Sequence, residues 1–255
     1  DHSPFILRSG LRTDSLVLTK THCNVKDNIN DFLDGCRMLR SADQKGIAGY
    51  TYPTSLVAKA VHIIRDIYDN LVARMHHGMT NRINQGIFDP ALRNETDGES
   101  LFHSWCQYID KKYWAIGQNK KWVSKTASQL LDQVPCYTDV LHYVIWHNMA
   151  IEAIEQEQIP VYYLYYEDYD SSFERSTLRL YNEFLNFPII GQPVDFIRGK
   201  SYHAYFTDAE ALAVARLVHE VATPKCWSLL RHYFANLLDT LEESGLAPPA
   251  WPGQS

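Results

Sequence analysis

The chain has no run of 18 or more consecutive apolar residues, so nothing in its 255 residues reads as a membrane-crossing helix. It has no surplus of positive charge either: 24 Lys and Arg against 30 Asp and Glu leave a formal −6. A nucleic-acid partner would ordinarily demand the opposite balance. Cysteine is sparse, and its five copies show no CxxC pair and no zinc-type spacing. The GxxxxGK[ST] phosphate loop of P-loop kinases is absent, as are internal repeats and low-complexity tracts. The opening Asp1-His2-Ser3-Pro4 lacks the pattern of a signal peptide, and the expectation is a segment of a longer protein.

What is present is ordinary globular composition with many aromatics, including 16 Tyr and 6 Trp, enough to line a cleft or an interface as well as a core. The length fits one domain, expected over 1–246, with a Pro-rich tail over 247–255. Three short apolar runs read as buried parallel strands: 15–19, 60–64 and 161–166. Each stops at charge, at Lys20-Thr21-His22, at Arg65 and at Glu167-Asp168 respectively. Helical patterns cover 69–77, 105–114, 126–131 and 138–157. Two more open on capping boxes, Ser171-x-x-Glu174 and Thr207-x-x-Glu210, and a last one follows Thr223-Pro224. Alternating strands and helices predict an α/β fold, a three-layer α/β/α sandwich with a central parallel sheet and a helix-rich C-terminal half. In such sheets ligands sit at the carboxyl ends of the strands, where the charged residues lie.

The spacing Lys20-x-His22 puts an ammonium and an imidazole on one side of an extended chain. An imidazole suits a general base at neutral pH, and a lysine stabilises charge on a transferred group. The same pair also reads as a surface lysine beside a capping histidine. Arg65, at a strand end beside a helix start, offers a bidentate hold on phosphate, or else an ion pair with Asp66 or Asp69. Cys23 and Cys36 read either as a small disulfide loop or as free thiols. The adjacent His76-His77 point about 100° apart on a helix and read as surface residues rather than metal ligands. The aromatics Trp105, Trp114, Trp122, Tyr143 and Trp146 read mostly as packing, with a minority free to face an acceptor.

Four stretches together resemble the sulfotransferase family, whose donor is 3′-phosphoadenylyl sulfate (PAPS): LVLTKTHC, VHIIRDIYDNLVARMHH, VYYLYYEDYDSSFERSTLRLYNEFLNF and, loosely, IRGKSYHAYFTDAE. The resemblance implies that His22 deprotonates an acceptor hydroxyl and that Lys20 contacts the sulfuryl group. It implies that Arg65 holds the donor's 3′-phosphate, that Tyr166 lies near the adenine, and that Arg198 and Lys200 belong to the loop closing over the phosphate. No metal is implied. The acceptor would be a carbohydrate or other hydroxyl-bearing molecule, and the compartment a Golgi-type lumen reached by a membrane-anchored parent, with the cytoplasm as the alternative. Ile67 stands where the family usually has Pro, and Ala73 where it commonly has a phosphate-binding Ser. The family's loop for the 5′-phosphosulfate is not matched by Leu7–Leu11, so it is expected upstream of Asp1 or lost, leaving a sulfotransferase-like binding module as the rival reading.

Overall fold

The computed structural model describes residues 6–7, 10–11, 23–39, 50–85, 98–187 and 201–237. Lys20, His22, Arg198 and Lys200, the expected strand 15–19 and the tail 247–255 lie outside the described residues.

Two minimal antiparallel ladders come first, β1 (Ile6–Leu7) with β2 (Gly10–Leu11) and, flanking α1 (Ile29–Cys36), β3 (Met38–Leu39) with β4 (Tyr50–Thr51). The sheet that matters is a parallel pair. Strand β5 (Ala60–Ile64) runs beside β6 (Val161–Tyr165), in register from Ala60 opposite Val161 to Ile64 opposite Tyr165. The amide of Tyr166 still donates to the Ile64 carbonyl at 2.8 Å, so the pairing runs one residue past the strand end. Between the two strands the chain makes α2 (Ile67–Asn84), α3 (Gly98–Tyr113), α4 (Lys125–Leu130) and α5 (Tyr137–Gln156). After β6 come α6 (Asp168–Leu178), a π-helical turn (Arg179–Leu185), α7 (Asp208–Val221) and α8 (Pro224–Leu230). The fold is α/β and helix dominates it.

Helix α5 is the axis of the core. Val140, Leu141, Val144, Ile145, Met149, Ala150, Ile151 and Ala153 are buried around its circumference, and a helix apolar on all sides has to be enclosed. Val214, Leu217, Val218 and Val221 of α7 form the opposing apolar stripe. Buried Asn148 ties the two helices polar-to-polar: its Nδ2 donates to the Val221 carbonyl and its Oδ1 accepts from the Thr223 amide, at 2.8 and 2.9 Å. The turn between α7 and α8 therefore keeps its backbone bonds without water.

Of the two capping boxes read from the sequence, one forms and one does not. Thr207 and Glu210 form the reciprocal capping box read from the sequence, and Thr223 caps α8 with Pro224 in its first turn. Ser171 and Glu174 do not form a cap. Helix α6 begins three residues earlier, at Asp168, because the chain turns immediately at the strand end, the Asp170 amide donating to the Glu167 carbonyl at 2.9 Å. The serine pair instead marks a kink: Ser172 leaves helical geometry (φ −152°, ψ 46°) and its hydroxyl bonds back to the Asp168 carbonyl.

Cys23 and Cys36 are joined, settling between the two alternatives in favour of the disulfide. A second bridge, Cys106–Cys136, ties α3 to the residue preceding α5. Cys226 is a buried free thiol whose pKa burial pushes up to about 12, so it is inert at neutral pH.

Candidate functional site at the strand ends

The carboxyl ends of β5 and β6 bring together Arg65, Asp66, Tyr166 and Glu167, with Asp69 and His203 beside them. Arg65 follows β5 and Tyr166 follows β6, and the guanidinium lies over the tyrosine ring, 4.7 Å from its centre. The carbonyl of Arg65 accepts from the Tyr143 hydroxyl at 2.6 Å, which fixes the backbone at the strand end. The Arg65 Nε is enclosed and bonds to nothing among the described residues, although its head also feels the charge of Asp69.

Asp66, the next residue, caps α2. Its Oδ1 accepts from the amides of Tyr68 and Asp69 at 2.8 and 3.2 Å, the usual role of an aspartate at a helix start. Its Oδ2 meets His203 Nε2 at 3.1 Å, and this bond raises the His203 pKa. The imidazole also packs on the Tyr68 ring at 4.7 Å. Asp69 accepts from the Tyr202 amide at 2.7 Å; burial raises its pKa, with the hydrogen bond working the other way. Glu167 bridges the two strand ends to the C-terminal helices, its Oε1 taking the Asp66 amide (2.8 Å) and its Oε2 the Tyr233 hydroxyl (2.6 Å).

Asp66, Asp69 and His203 each present a ligand-type atom, all within 4.8 Å of one another, so the three are close enough to share a divalent cation. Each already accepts or donates within the protein, and the network stands as a structural lock between α2 and the 3₁₀ turn His203–Tyr205.

Of the residues singled out from the sequence, Arg65 and Tyr166 are brought into contact. Near Ala73, Arg74 on the α2 surface pairs with buried Asp139 at 2.8 Å. His76 and His77 are exposed on α2. Trp105 and Tyr143 are buried, whereas Trp114 is exposed. A separate surface hollow lies along α6 and the π-helical turn, bounded by Glu174, Arg175, Leu178, Arg179 and Glu183, and its charges nearly cancel.

Missed from the sequence were His203, whose partner lies 137 positions away, and the buried pair of His62 in β5 and His147 in α5. His62 Nε2 and His147 Nδ1 are 2.7 Å apart inside the core. A signal existed: a histidine interrupting the apolar run AVHII, and another in the fully apolar part of α5, each need a partner.

The segment before residue 23 is bounded by a fixed point. Cys23 is buried, and its carbonyl accepts from Trp146 Nε1 at 2.8 Å. Trp146 and Tyr143 stand three residues apart on α5, so one turn of that helix binds both the residue after His22 and Arg65. No protein-family model, no curated protein and no solved structure matches the chain.

Proposed function

We propose that the chain is a PAPS-dependent sulfotransferase domain that transfers a sulfuryl group to a hydroxyl acceptor, possessing the three-layer sheet of that family with β5 and β6 as two of its strands. The observation that carries this reading is the shared turn of α5: Tyr143 holds Arg65, and Trp146 holds the residue next to His22. Donor and acceptor chemistry have to be held in fixed relation, because positioning supplies most of the rate when a group passes between two bound oxygens.

In this mechanism the acceptor oxygen attacks sulfur in line. A new S–O bond forms as the bond from sulfur to the donor's phosphate oxygen breaks, and adenosine 3′,5′-bisphosphate leaves. His22 takes the acceptor's proton, and Lys20 offsets the charge on the sulfuryl and bridging oxygens. Arg65 holds the 3′-phosphate with Tyr166 beside the adenine, and Arg198 and Lys200 close over the phosphate. The contact of Arg65 with Tyr166 supports their joint role, since the ring restrains the guanidinium in advance of ligand. The two disulfides support an oxidising lumen such as the Golgi.

A second reading, a sulfotransferase-like module without catalysis, is favoured by one feature. Asp66, next in the chain, and Asp69, whose charge Arg65 feels, are both buried beside it, and Ala73 supplies no hydroxyl, so the strand end is less cationic than a nucleotide phosphate prefers. Calorimetric titration with adenosine 3′,5′-bisphosphate separates the two. The catalytic reading expects binding that falls at least about tenfold in Arg65→Ala, the loss of one charge-assisted contact. An absence of binding to the unaltered chain, or binding indifferent to Arg65, refutes it.

A further inference from the structure

The 15 residues from Lys111 to Lys125 hold five lysines and no acid, whereas the other 240 residues carry a formal −11. They form the last turn of α3, the 3₁₀ turn Trp114–Gln118 and the approach to α4, and all five lysines are exposed. Asp110, the acid adjoining them, turns inward to the amide and hydroxyl of Thr138 at 3.0 and 2.9 Å.

Aromatic faces alternate with these charges. Trp114 is 58% exposed, more than any other large apolar side chain among the described residues, and Tyr113 beside it is 41% exposed. Lys112 lies 5.1 Å from the Tyr113 ring and 5.9 Å from that of Tyr108, which Arg82 approaches at 5.1 Å. Lys121 lies 4.4 Å over Trp122 and donates to the Asp27 carbonyl. The turn that presents Trp114 is pinned from within: Gly117 is buried, and a Cβ there would stand 2.9 Å from the Tyr137 ring and 3.0 Å from Leu131. An indole and a phenol held outward side by side on an anchored turn leave two adjacent ring faces open to a ligand.

From this alternation we infer that the Lys111–Lys125 ridge binds an anionic polysaccharide, one bearing carboxylate or sulfate groups on its sugar rings. Indole and phenol rings stack on the C–H faces of sugars, and the lysines meet the anions between them. A nucleic acid also offers rings and charge, but the disulfides belong to a compartment that holds glycans rather than RNA. An anionic membrane is disfavoured for the same reason, since the negative leaflet faces the cytoplasm. As a statement about the acceptor this rests on the sulfotransferase reading; as a statement about binding it does not.

The test is equilibrium binding of the intact oxidised chain to polygalacturonate, in the absence of nucleotide, with neutral dextran, poly(U) and phosphatidylserine vesicles as parallel titrants. Expected are salt-sensitive binding to polygalacturonate, none to dextran, and weaker binding to poly(U) and vesicles. Trp114→Ala weakens polygalacturonate binding about fivefold. The combined K111E/K112E/K120E change abolishes it with an unaltered circular dichroism spectrum. No binding to polygalacturonate, binding indifferent to both variants, or tighter binding to poly(U) or vesicles overturns the inference. Because nucleotide is absent and Arg65 untouched, failure here is distinct from failure of donor binding.

Discussion

Acid should destabilise this protein through one buried contact. His62 and His147 are about 95% enclosed, and their ring nitrogens share a single hydrogen bond of 2.7 Å. The rings around them are Trp146, Tyr163 and Tyr143, and among the described residues no carboxylate bonds either imidazole. Burial lowers the His62 pKa to about 4 and carries His147 well below the ordinary 6.5, the proximity of His62 adding to the second shift. The unfolded chain takes up a proton on each ring near pH 6.5, while the native chain does not. Stability therefore begins to fall below pH 6.5 and goes on falling until the native His62 itself titrates at about 4. For His62 alone the loss between pH 7 and pH 5 is about 2 kcal/mol. His147 adds a loss in the same direction. Asp110 works the other way. Burial raises its pKa to about 6, so its native form gains a proton before the unfolded one does and returns about 1 kcal/mol by pH 5. The unaltered protein at two pH values therefore reports a mixture. The informative comparison is with His62→Leu/His147→Leu, which removes both partners and leaves neither ring unpaired. Urea unfolding at pH 7 and pH 5 should show the unaltered chain losing at least about 2 kcal/mol more than the double variant. An equal loss in both proteins would refute the reasoning.

Two other outcomes can be measured directly. Opening the 30-residue Cys106–Cys136 loop, as C106S/C136S, should cost about 3.5 kcal/mol by chain entropy and lower the thermal midpoint; an unchanged midpoint would show that the bridge does not restrain the unfolded chain. With an active preparation, His22→Ala should remove sulfuryl transfer and leave adenosine 3′,5′-bisphosphate affinity nearly as it was, and retained turnover would disqualify that histidine as the base.

Features set by neighbours in the chain were legible. Strands β5 and β6 are contiguous apolar runs cut off by charge, and each lies within one residue of where its pattern places it. The capping box at Thr207 formed with one Glu210 oxygen even though His103 takes the other, while the one at Ser171 lost to the turn that closes straight after β6. The boundary of α2 extends two residues before and seven beyond the pattern at 69–77, because Asp66 nucleates the first turn and Met79 and Ile83 continue the buried stripe. Illegible were contacts between distant positions: His62 with His147 across 85 residues, Asp66 with His203 across 137, Cys106 with Cys136. Periodicity says that a side chain is enclosed and is silent about which polar group it will meet there.

Three long-range hydrogen bonds, that of His62 with His147 among them, converge on α5. Tyr143, Trp146 and His147 occupy positions i, i+3 and i+4, one face of the helix, and reach Arg65, Cys23 and His62 in turn. Hydrophobic packing alone leaves the rotational register of this helix less sharply specified, since its circumference is apolar nearly everywhere. Three directional bonds on one turn remove that freedom, because a one-residue rotation of about 100° would break all of them and strand buried polar groups. The strand end that carries Arg65 and the chain at Cys23 are consequently held against the same rigid element. That makes the geometry at the strand ends a property of the core, so a substitution inside α5 that preserves apolar volume but deletes the Tyr143 hydroxyl should be felt first at Arg65.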